Sequence, residues 1–193
     1  TTSATQAMDC VANNLLSNLG IQCSPPTYSS LSVPFHYIDP MKILFLCLGN
    51  ICRSPAGENI FRDATRKAGI AAQFVIDSAG TEAWHTGKGP DSRMTQTLVS
   101  RGVEVTGKAR QIKPADLEEF DLILAMDDEN YANVKKLDPN GTFAEKIQKF
   151  TSYCQHHSET EVPDPYYGGQ DGFELVADLL EDGCSRLIEK YST

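Results

Sequence analysis

The sequence predicts an α/β fold: a single doubly wound, mainly parallel four-stranded sheet with helices on both faces. From Met41 onward, short apolar runs alternate with stretches of helical periodicity, and this alternation is typical of parallel strands joined by helical crossovers. The chain has 193 residues, of which 40% are hydrophobic. That length and composition suffice for one complete core and are too small for two domains of ordinary size.

Each predicted element follows from its local pattern. The run "KILFLCL" (42–48) indicates a buried strand, and residues 55–69 after it place apolar side chains on one helical face before Gly69. Residues 71–80 indicate a second strand, and residues 90–102 indicate a helix. The remaining predictions are short extended pieces at 103–105 and 109–112, a strand at 120–126, and helices at 127–137 and from Phe173 to Tyr191.

Residues 1–40 differ in composition from the rest of the chain. They contain no Lys or Arg and are rich in Ser, Thr, Asn and Pro, which is typical of a poorly ordered segment. We therefore expect a poorly ordered N-terminal extension over residues 1–40 and the functional domain over residues 41–193. A disordered leader and a docking segment are the two alternatives for the extension.

Charge and cysteine usage exclude several classes of function. The 17 basic and 26 acidic side chains give a net charge of -9, and the basic stripe that a duplex-binding protein needs is missing. The longest apolar run, Ile43 to Leu48, is far too short for a membrane span. The six cysteines lack the spacing of a zinc site or a disulfide framework. The sequence thus predicts no nucleic-acid partner, no membrane partner and a reducing, cytoplasmic location.

The stretch "ILFLCLGNICRSP" (43–55) follows the first predicted strand. In a doubly wound sheet, ligands bind at the carboxyl ends of strands, where the chain turns into a helix. Ser54 is a suitable N-cap and Pro55 suits the first helical position, so we expect the helix to begin just after Arg53.

Residues 48–53 would then wrap around the helix N-terminus. Gly49 and Asn50 tolerate the positive backbone dihedrals that turn several N–H groups inward. This part of the chain is therefore predicted to form an anion cradle.

The neighbouring side chains suit a phosphoryl group as that anion. Cys47 lies at the end of the strand and faces a helix N-terminus, which favours the thiolate, the nucleophilic form. The planar fork of Arg53 can bind two phosphoryl oxygens, and the Ser54 hydroxyl can donate to the thiolate. A nucleotide P-loop is excluded, because Gly-Lys is never followed by Ser or Thr.

A thiolate that attacks phosphorus needs a proton donor for the leaving oxygen. None of the four histidines is close to the loop in sequence, and the candidate is Asp164 in "VPDPYYGGQ" (162–170). Its two proline neighbours stiffen the backbone, and Tyr166 and Tyr167 supply aromatic walls. Such a segment is also an ordinary turn.

The motifs "FLCLGNICRSP" and "DPYYGG", together with "IDSAGT", "GKGPDSRM", "KARQI" and "DLILAMD", resemble the low-molecular-weight protein tyrosine phosphatase family. The resemblance runs from about Met41 to Tyr191 and makes residues 41–193 a phosphatase domain. It implies a metal-independent cysteine phosphatase without a cofactor. The implied substrates are phosphotyrosine proteins or small aryl phosphates, hydrolysed through a phosphocysteine intermediate.

The resemblance also assigns roles to individual residues. It makes Cys47 the nucleophile, Arg53 the phosphate-binding residue and Asp164 the general acid, and it implies no metal ligand. The implied substrate-binding residues are Leu48, Gly49, Asn50, Ile51, Cys52, Ser54, Trp84, Tyr166 and Tyr167.

Two further expectations come from the resemblance. In this family the cysteine at the position of Cys52 can form a disulfide with the nucleophile, which implies reversible oxidative inactivation, whereas simple packing is the alternative. Many members carry a histidine, linked to support of the loop asparagine, where this chain has Gly107. Asn50 is therefore expected to find another partner or a water molecule.

Three alternatives remain at this point. Arsenate reductases share the loop, but the thioredoxin-coupled kind uses additional cysteines, and none lies between Asn59 and Tyr153. Phosphoarginine phosphatases resemble each other in having threonine where this chain has Ile51. A phosphotyrosine-binding module without turnover would not need Asp164.

Overall fold

The computed structural model of the protein describes residues 39–192, so nearly all of the predicted extension over residues 1–40 lies outside the described residues. Its four strands are β1 (Met41–Cys47), β2 (Phe74–Gly80), β3 (Leu122–Ala125) and β4 (Ile147–Lys149). They form one sheet in the order β2-β1-β3-β4, and every neighbouring pair is parallel. The predicted fold class is confirmed.

Within residues 39–192, five α-helices and three short 3-10 helices connect and cover these strands. The 3-10 helices lie at Ala71–Gln73, Ala144–Lys146 and Phe150–Tyr153. The α-helices are α1 (Arg53–Lys67), α2 (Ser92–Ser100), α3 (Pro114–Glu119), α4 (Asp128–Lys135) and α5 (Gln170–Tyr191).

The central strand β1 contributes to two hydrophobic cores, because successive side chains point to opposite faces of a sheet. Ile43 and Phe45 pack in a cluster with apolar residues of α1, α2 and α5. Leu44 and Leu46 pack in a second cluster with residues of α3 and α4. Since helices cover both faces, β1 is a continuous apolar run rather than an alternating one.

The position of the fourth strand was not predicted. Residues 103–105 are in no strand, and Gln111 makes only an isolated bridge to Gly80. The strand that completes the sheet is β4, which has three residues of which only Ile147 is buried, so no apolar run marks it.

Helix α3 was not predicted, although its start signals are present in the sequence. Pro114 stands at its first turn, and Asp116 accepts a hydrogen bond of 2.7 Å from the Lys113 N–H, as in a capping box.

The parallel order brings the carboxyl ends of the strands to one edge. Cys47, at the end of β1, is in register with Gly80 of β2, and Leu46 is in register with Ala125 of β3. The segments that follow these strands therefore meet around the end of β1. Within residues 39–192, no helix has the length and apolar character needed to cross a membrane.

Candidate active site

Residues 47–53 form a tight loop between the end of β1 and the start of α1. Asn50 has φ of 54°, the left-handed conformation that asparagine tolerates better than most residues. Gly49 is not in that conformation, contrary to prediction. Glycine at this position allows the His85 ring to lie close to the loop backbone, because a Cβ there would lie 2.9 Å from Cδ2 of His85.

A second glycine allows the loop to sit against β2. A Cβ on Gly80 would lie 2.7 Å from the carbonyl oxygen of Leu48 and 3.1 Å from the backbone nitrogen of Asn50. The backbone of β2 is thus in direct contact with the loop. Gly80 was not predicted as a site residue, although it belongs to the motif "IDSAGT".

Cys47 lies at the floor of the loop and is only 2% exposed. Its Sγ is 3.0 Å from Ser54 Oγ and accepts a hydrogen bond of 3.3 Å from the Asn50 N–H. Both contacts, with the nearby N-terminus of α1, favour a negative charge on the sulfur.

The prediction that Ser54 is the N-cap of α1 was wrong, because its hydroxyl is bound elsewhere. Helix α1 begins at Arg53, and the residue in the cap position, Cys52, makes no side-chain cap bond. Ser54 already lies inside the first turn, and its hydroxyl faces Cys47 and the Ala79 carbonyl instead of the helix N–H groups. Because a hydroxyl has one proton, donation to the sulfur is favoured when Cys47 is charged.

Asn50 holds the loop through a buried chain of polar groups. Its Nδ2 donates to Ser54 Oγ at 2.9 Å and to Ser78 Oγ at 2.8 Å, and its Oδ1 accepts from the Arg110 N–H at 2.9 Å. Ser78 Oγ in turn donates to Glu58 Oε2 at 2.5 Å. Every polar atom of the Asn50 side chain is therefore satisfied.

These contacts support Asn50 although this chain has Gly107 in place of the family's histidine. That residue has φ of +109°, and a Cβ built on it would lie 3.9 Å from Glu58 Oε2, so position 107 borders the chain of polar groups. Glu58 is also paired with Arg62. Ser78 and Glu58 thus support Asn50 without a side chain at position 107.

Replacement of Ser78 by alanine is expected to lower the free energy of unfolding by about 1–3 kcal/mol, because it leaves donors and acceptors of Asn50 and Glu58 unpaired in a buried place. Urea unfolding measures this change. Ser185→Ala, which removes a hydroxyl bonded to Glu181 O on the exposed side of α5, serves as the matched control. Equal stabilities of the two variants would contradict a supporting role for Ser78.

Arg53 is fixed by carboxylates from two distant segments. Its Nη1 donates to Asp127 Oδ2 at 2.5 Å and to the Val162 carbonyl at 3.2 Å, and its Nη2 donates to Asp164 Oδ2 at 2.9 Å. Burial alone would lower the pKa of Arg53, but the negative charges of Cys47, Asp164 and Asp127 raise it. The guanidinium is therefore always charged.

Asp127 was missed by the sequence analysis. Besides binding Arg53, it is the N-cap of α4, where its Oδ1 accepts from the Asn130 N–H at 2.6 Å. The helix cap thus holds the carboxylate in place for Arg53. An acidic residue directly after a predicted strand was the available signal.

Asp164 lies at the mouth of the site, with its side chain 41% exposed. Its Oδ1 accepts a hydrogen bond of 3.1 Å from the Tyr166 N–H, while Oδ2 faces Arg53. The carboxyl group is therefore held next to the Arg53 guanidinium and remains open to solvent.

The predicted site residues converge on one pocket of about 280 Å³. All of them line it except Asn50 and Ser54, which are buried behind the loop. The mouth is aromatic, since Trp84 is 66% exposed and Tyr167 is 96% exposed. His85 also lines the pocket and was not predicted, because it is distant in sequence from the loop of residues 47–53.

Comparisons with known proteins agree with this geometry. The family model for "Low molecular weight phosphotyrosine protein phosphatase" matches residues 42–192. The chain belongs to this family. It is accordingly an enzyme of the low molecular weight protein tyrosine phosphatase class.

Individual relatives are similar over nearly their whole length. A Synechocystis protein, provisionally named a low molecular weight protein-tyrosine-phosphatase, is 55% identical over 148 residues, which cover 77% of this chain and 94% of the relative. A crystal structure of an Entamoeba histolytica protein tyrosine phosphatase has a TM-score of 0.75 at 44% identity and covers 78% of this chain and 96% of that one. A Drosophila arginine phosphatase structure has a TM-score of 0.72 at 30% identity, and the match covers 79% of this chain and 99% of that one.

In this member of the phosphatase family, the second loop cysteine, Cys52, is buried. Burial raises the pKa of Cys52 to about 12, with further contributions from the charges of Asp91 and Cys47. Cys52 is therefore a neutral thiol at physiological pH. Both loop cysteines are free in this structure.

The phosphatase pocket is also tied to α2 by a pair of residues that the sequence analysis did not assign. The Asp91 N–H donates to the Ile51 carbonyl at 2.7 Å, and the Asp91 carboxylate binds Arg93. Arg93 Nη1 then donates to the Tyr166 carbonyl at 3.0 Å. This connection joins the loop of residues 47–53 to the aromatic side of the mouth.

Proposed function

We propose that the protein is a metal-independent cysteine phosphatase, which hydrolyses phosphotyrosine in proteins and small aryl phosphates through a phosphocysteine intermediate. The observation that carries this proposal is the position of Cys47 Sγ, 3.0 Å from Ser54 Oγ at the floor of a pocket with aromatic walls. Arg53 and the N-terminus of α1 supply positive charge at the same place.

In the first step, the Cys47 thiolate attacks phosphorus in line with the bond to the phenolic oxygen. The S–P bond forms as the P–O bond breaks, and Arg53 with the loop N–H groups stabilises the charge on the phosphoryl oxygens. Asp164 gives its proton to the departing phenolate, so it must enter this step protonated.

The contacts of Arg53 suit this sequence of events. A phosphoryl group that binds Nη2 takes the place of the Asp164 carboxylate, which is then free to hold the catalytic proton. Asp127 keeps its bond to Nη1 and maintains the orientation of the fork.

In the second step, the Asp164 carboxylate takes a proton from water, and the water oxygen attacks phosphorus. The S–P bond breaks and inorganic phosphate leaves. The Ser54 hydroxyl and the Asn50 N–H stabilise the returning thiolate, because both face Cys47 Sγ.

The pocket wall favours an aromatic phosphoester over phosphoarginine. Ile51 lines the pocket with an apolar side chain, and Trp84 and Tyr166 flank the mouth. The similarity to a Drosophila arginine phosphatase makes phosphoarginine the substrate to test against.

A substrate panel tests the proposal. With a chelator and a thiol reductant at mildly acidic pH, we expect rapid release of phosphate from a phosphotyrosine peptide. Phosphoserine and phosphoarginine peptides of the same sequence should react at least tenfold more slowly, on the order expected for one mismatched pocket contact. Turnover that requires an added metal, or a preference for phosphoarginine, would sink the proposal.

We also propose that residues 41–193 are the phosphatase domain and that residues 1–40 precede it without a catalytic role. The match of the family model from residue 42 supports this division. The same panel, run on residues 41–193 alone, should give unchanged rates, and a large loss would contradict it.

A cytoplasmic location is part of the proposal, since the thiolate requires a reducing compartment. Cell fractionation that places the protein elsewhere would overturn that part.

Finally, we propose that the site is redox-sensitive. Peroxide would convert the Cys47 thiolate to a sulfenic acid, and the Cys52 sulfur would then displace water to form a Cys47–Cys52 disulfide. Both cysteines line the same pocket and are buried, which supports this pairing.

After peroxide treatment, the wild type is expected to regain nearly all activity with dithiothreitol, because a disulfide is reducible. The Cys52→Ala variant should recover progressively less with exposure time, because its sulfenic acid proceeds to irreversible sulfinic acid. Cys154→Ala, which removes a half-buried thiol outside the pocket, is the control. Equal recovery of Cys52→Ala and the control would rule out the protective disulfide.

A further inference from the structure

Two exposed lysines lie on adjacent loops beside the pocket and form what we call the basic shelf, Lys88 and Lys108. Two backbone hydrogen bonds join their loops: the Gly87 N–H donates to the Ala109 carbonyl at 2.7 Å, and the Ala109 N–H donates to the Lys88 carbonyl at 2.8 Å. The two loops that carry the lysines are therefore held side by side.

The basic shelf is continuous with the wall of the pocket. The Lys88 N–H donates to the His85 carbonyl at 2.9 Å, and His85 and Trp84 line the pocket on the side of β2. A peptide whose phosphotyrosine enters the pocket on this side must pass the shelf.

The charges of the basic shelf are not neutralised by the part of the chain that the structure describes. Neither Lys88 nor Lys108 has an ion pair within residues 39–192, and Glu82, the acid of the same loop, does not pair with them there. Unlike these lysines, the arginines Arg53 and Arg93 beside the pocket are each paired with carboxylates.

The acids named on the opposite side of the pocket are paired. Asp164 binds Arg53 at 2.9 Å, and Asp128, which follows β3, binds Lys149 at 2.6 Å. Because β2 and β3 lie on opposite sides of β1, the segments that follow them are on opposite sides of the pocket. The unpaired lysines of the basic shelf therefore lie on the side away from these acids.

We propose that the basic shelf binds acidic side chains that flank the phosphotyrosine, so that the preferred substrates are phosphotyrosine segments rich in Asp and Glu. This inference rests on the proposed phosphotyrosine activity. Exposed charges of opposite sign steer association and set the register of a bound chain. Each exposed pair contributes a factor of about two to five.

The test compares three phosphotyrosine peptides, with acidic, neutral or basic flanks, and p-nitrophenyl phosphate, which occupies only the pocket. The Lys88→Gln/Lys108→Gln variant should lose about fivefold in kcat/KM on the acidic peptide, in line with the strength of exposed pairs. Its activity on the neutral peptide and on p-nitrophenyl phosphate should be unchanged. The loss should disappear in concentrated salt, because salt screens exposed charges.

Lys135→Gln/Lys136→Gln is the matched control, since it removes the same charge at the far end of α4. An equal loss in this control, or an equal loss on all three peptides, would overturn the role of the shelf. Binding of the same peptides to Cys47→Ser separates this inference from the proposed reaction. Preference for acidic flanks in binding supports the shelf even without turnover, whereas equal affinities for all three peptides overturn it.

Discussion

The Cys47→Ser variant is expected to lose at least about 10⁴-fold in turnover on phosphotyrosine peptides and on p-nitrophenyl phosphate. Ser54 and the Asn50 N–H stabilise a thiolate at this position, but a serine hydroxyl there stays protonated and is a poor nucleophile. Steady-state kinetics at saturating substrate measures the loss directly.

The control for this prediction is a second cysteine variant. Cys154→Ser removes a half-buried thiol outside the pocket, and we expect it to turn over at nearly the wild-type rate. Phosphopeptide binding to Cys47→Ser should persist, because Arg53 and the loop N–H groups are intact. Residual activity above about 1% of the wild type would exclude nucleophilic catalysis by Cys47.

Asp164→Asn is expected to lower kcat/KM, which reports the first step, by about 10²–10⁴-fold when the leaving group is a poor one such as phenol or tyrosine, because the variant cannot donate a proton. Much less of kcat/KM should be lost with p-nitrophenyl phosphate, whose leaving group departs without help. A series of aryl phosphates with leaving groups of increasing basicity measures the change. The slope of log kcat/KM against basicity should become steeper in the variant.

Asp127→Asn distinguishes proton donation from the positioning of Arg53. Both carboxylates bind the guanidinium, at 2.5 Å for Asp127 and 2.9 Å for Asp164, but only Asp164 lines the pocket. Loss of the Asp127 carboxylate should therefore weaken the binding of all substrates alike, chiefly by raising KM. If Asp164→Asn showed the same uniform pattern, its role would be that of a positioning residue.

Local sequence predicted most of the regular structure. The apolar run of β1 and the long amphipathic helices α1 and α5 were predicted because each contains enough residues for its periodicity to be visible. Strand β4 has three residues and helix α3 has six, so neither has a pattern long enough to recognise. Their place depends on packing against the rest of the sheet.

The sequence by itself determined the loop of residues 47–53, because Cys47, Arg53 and Ser54 lie within eight positions and one strand-to-helix turn brings them together. Only the tertiary structure decided the partners of that loop. Arg53 meets Asp127 across 74 residues and Asp164 across 111 residues. Such contacts depend on the strand order β2-β1-β3-β4, which gathers the carboxyl ends of distant strands at one edge of the sheet.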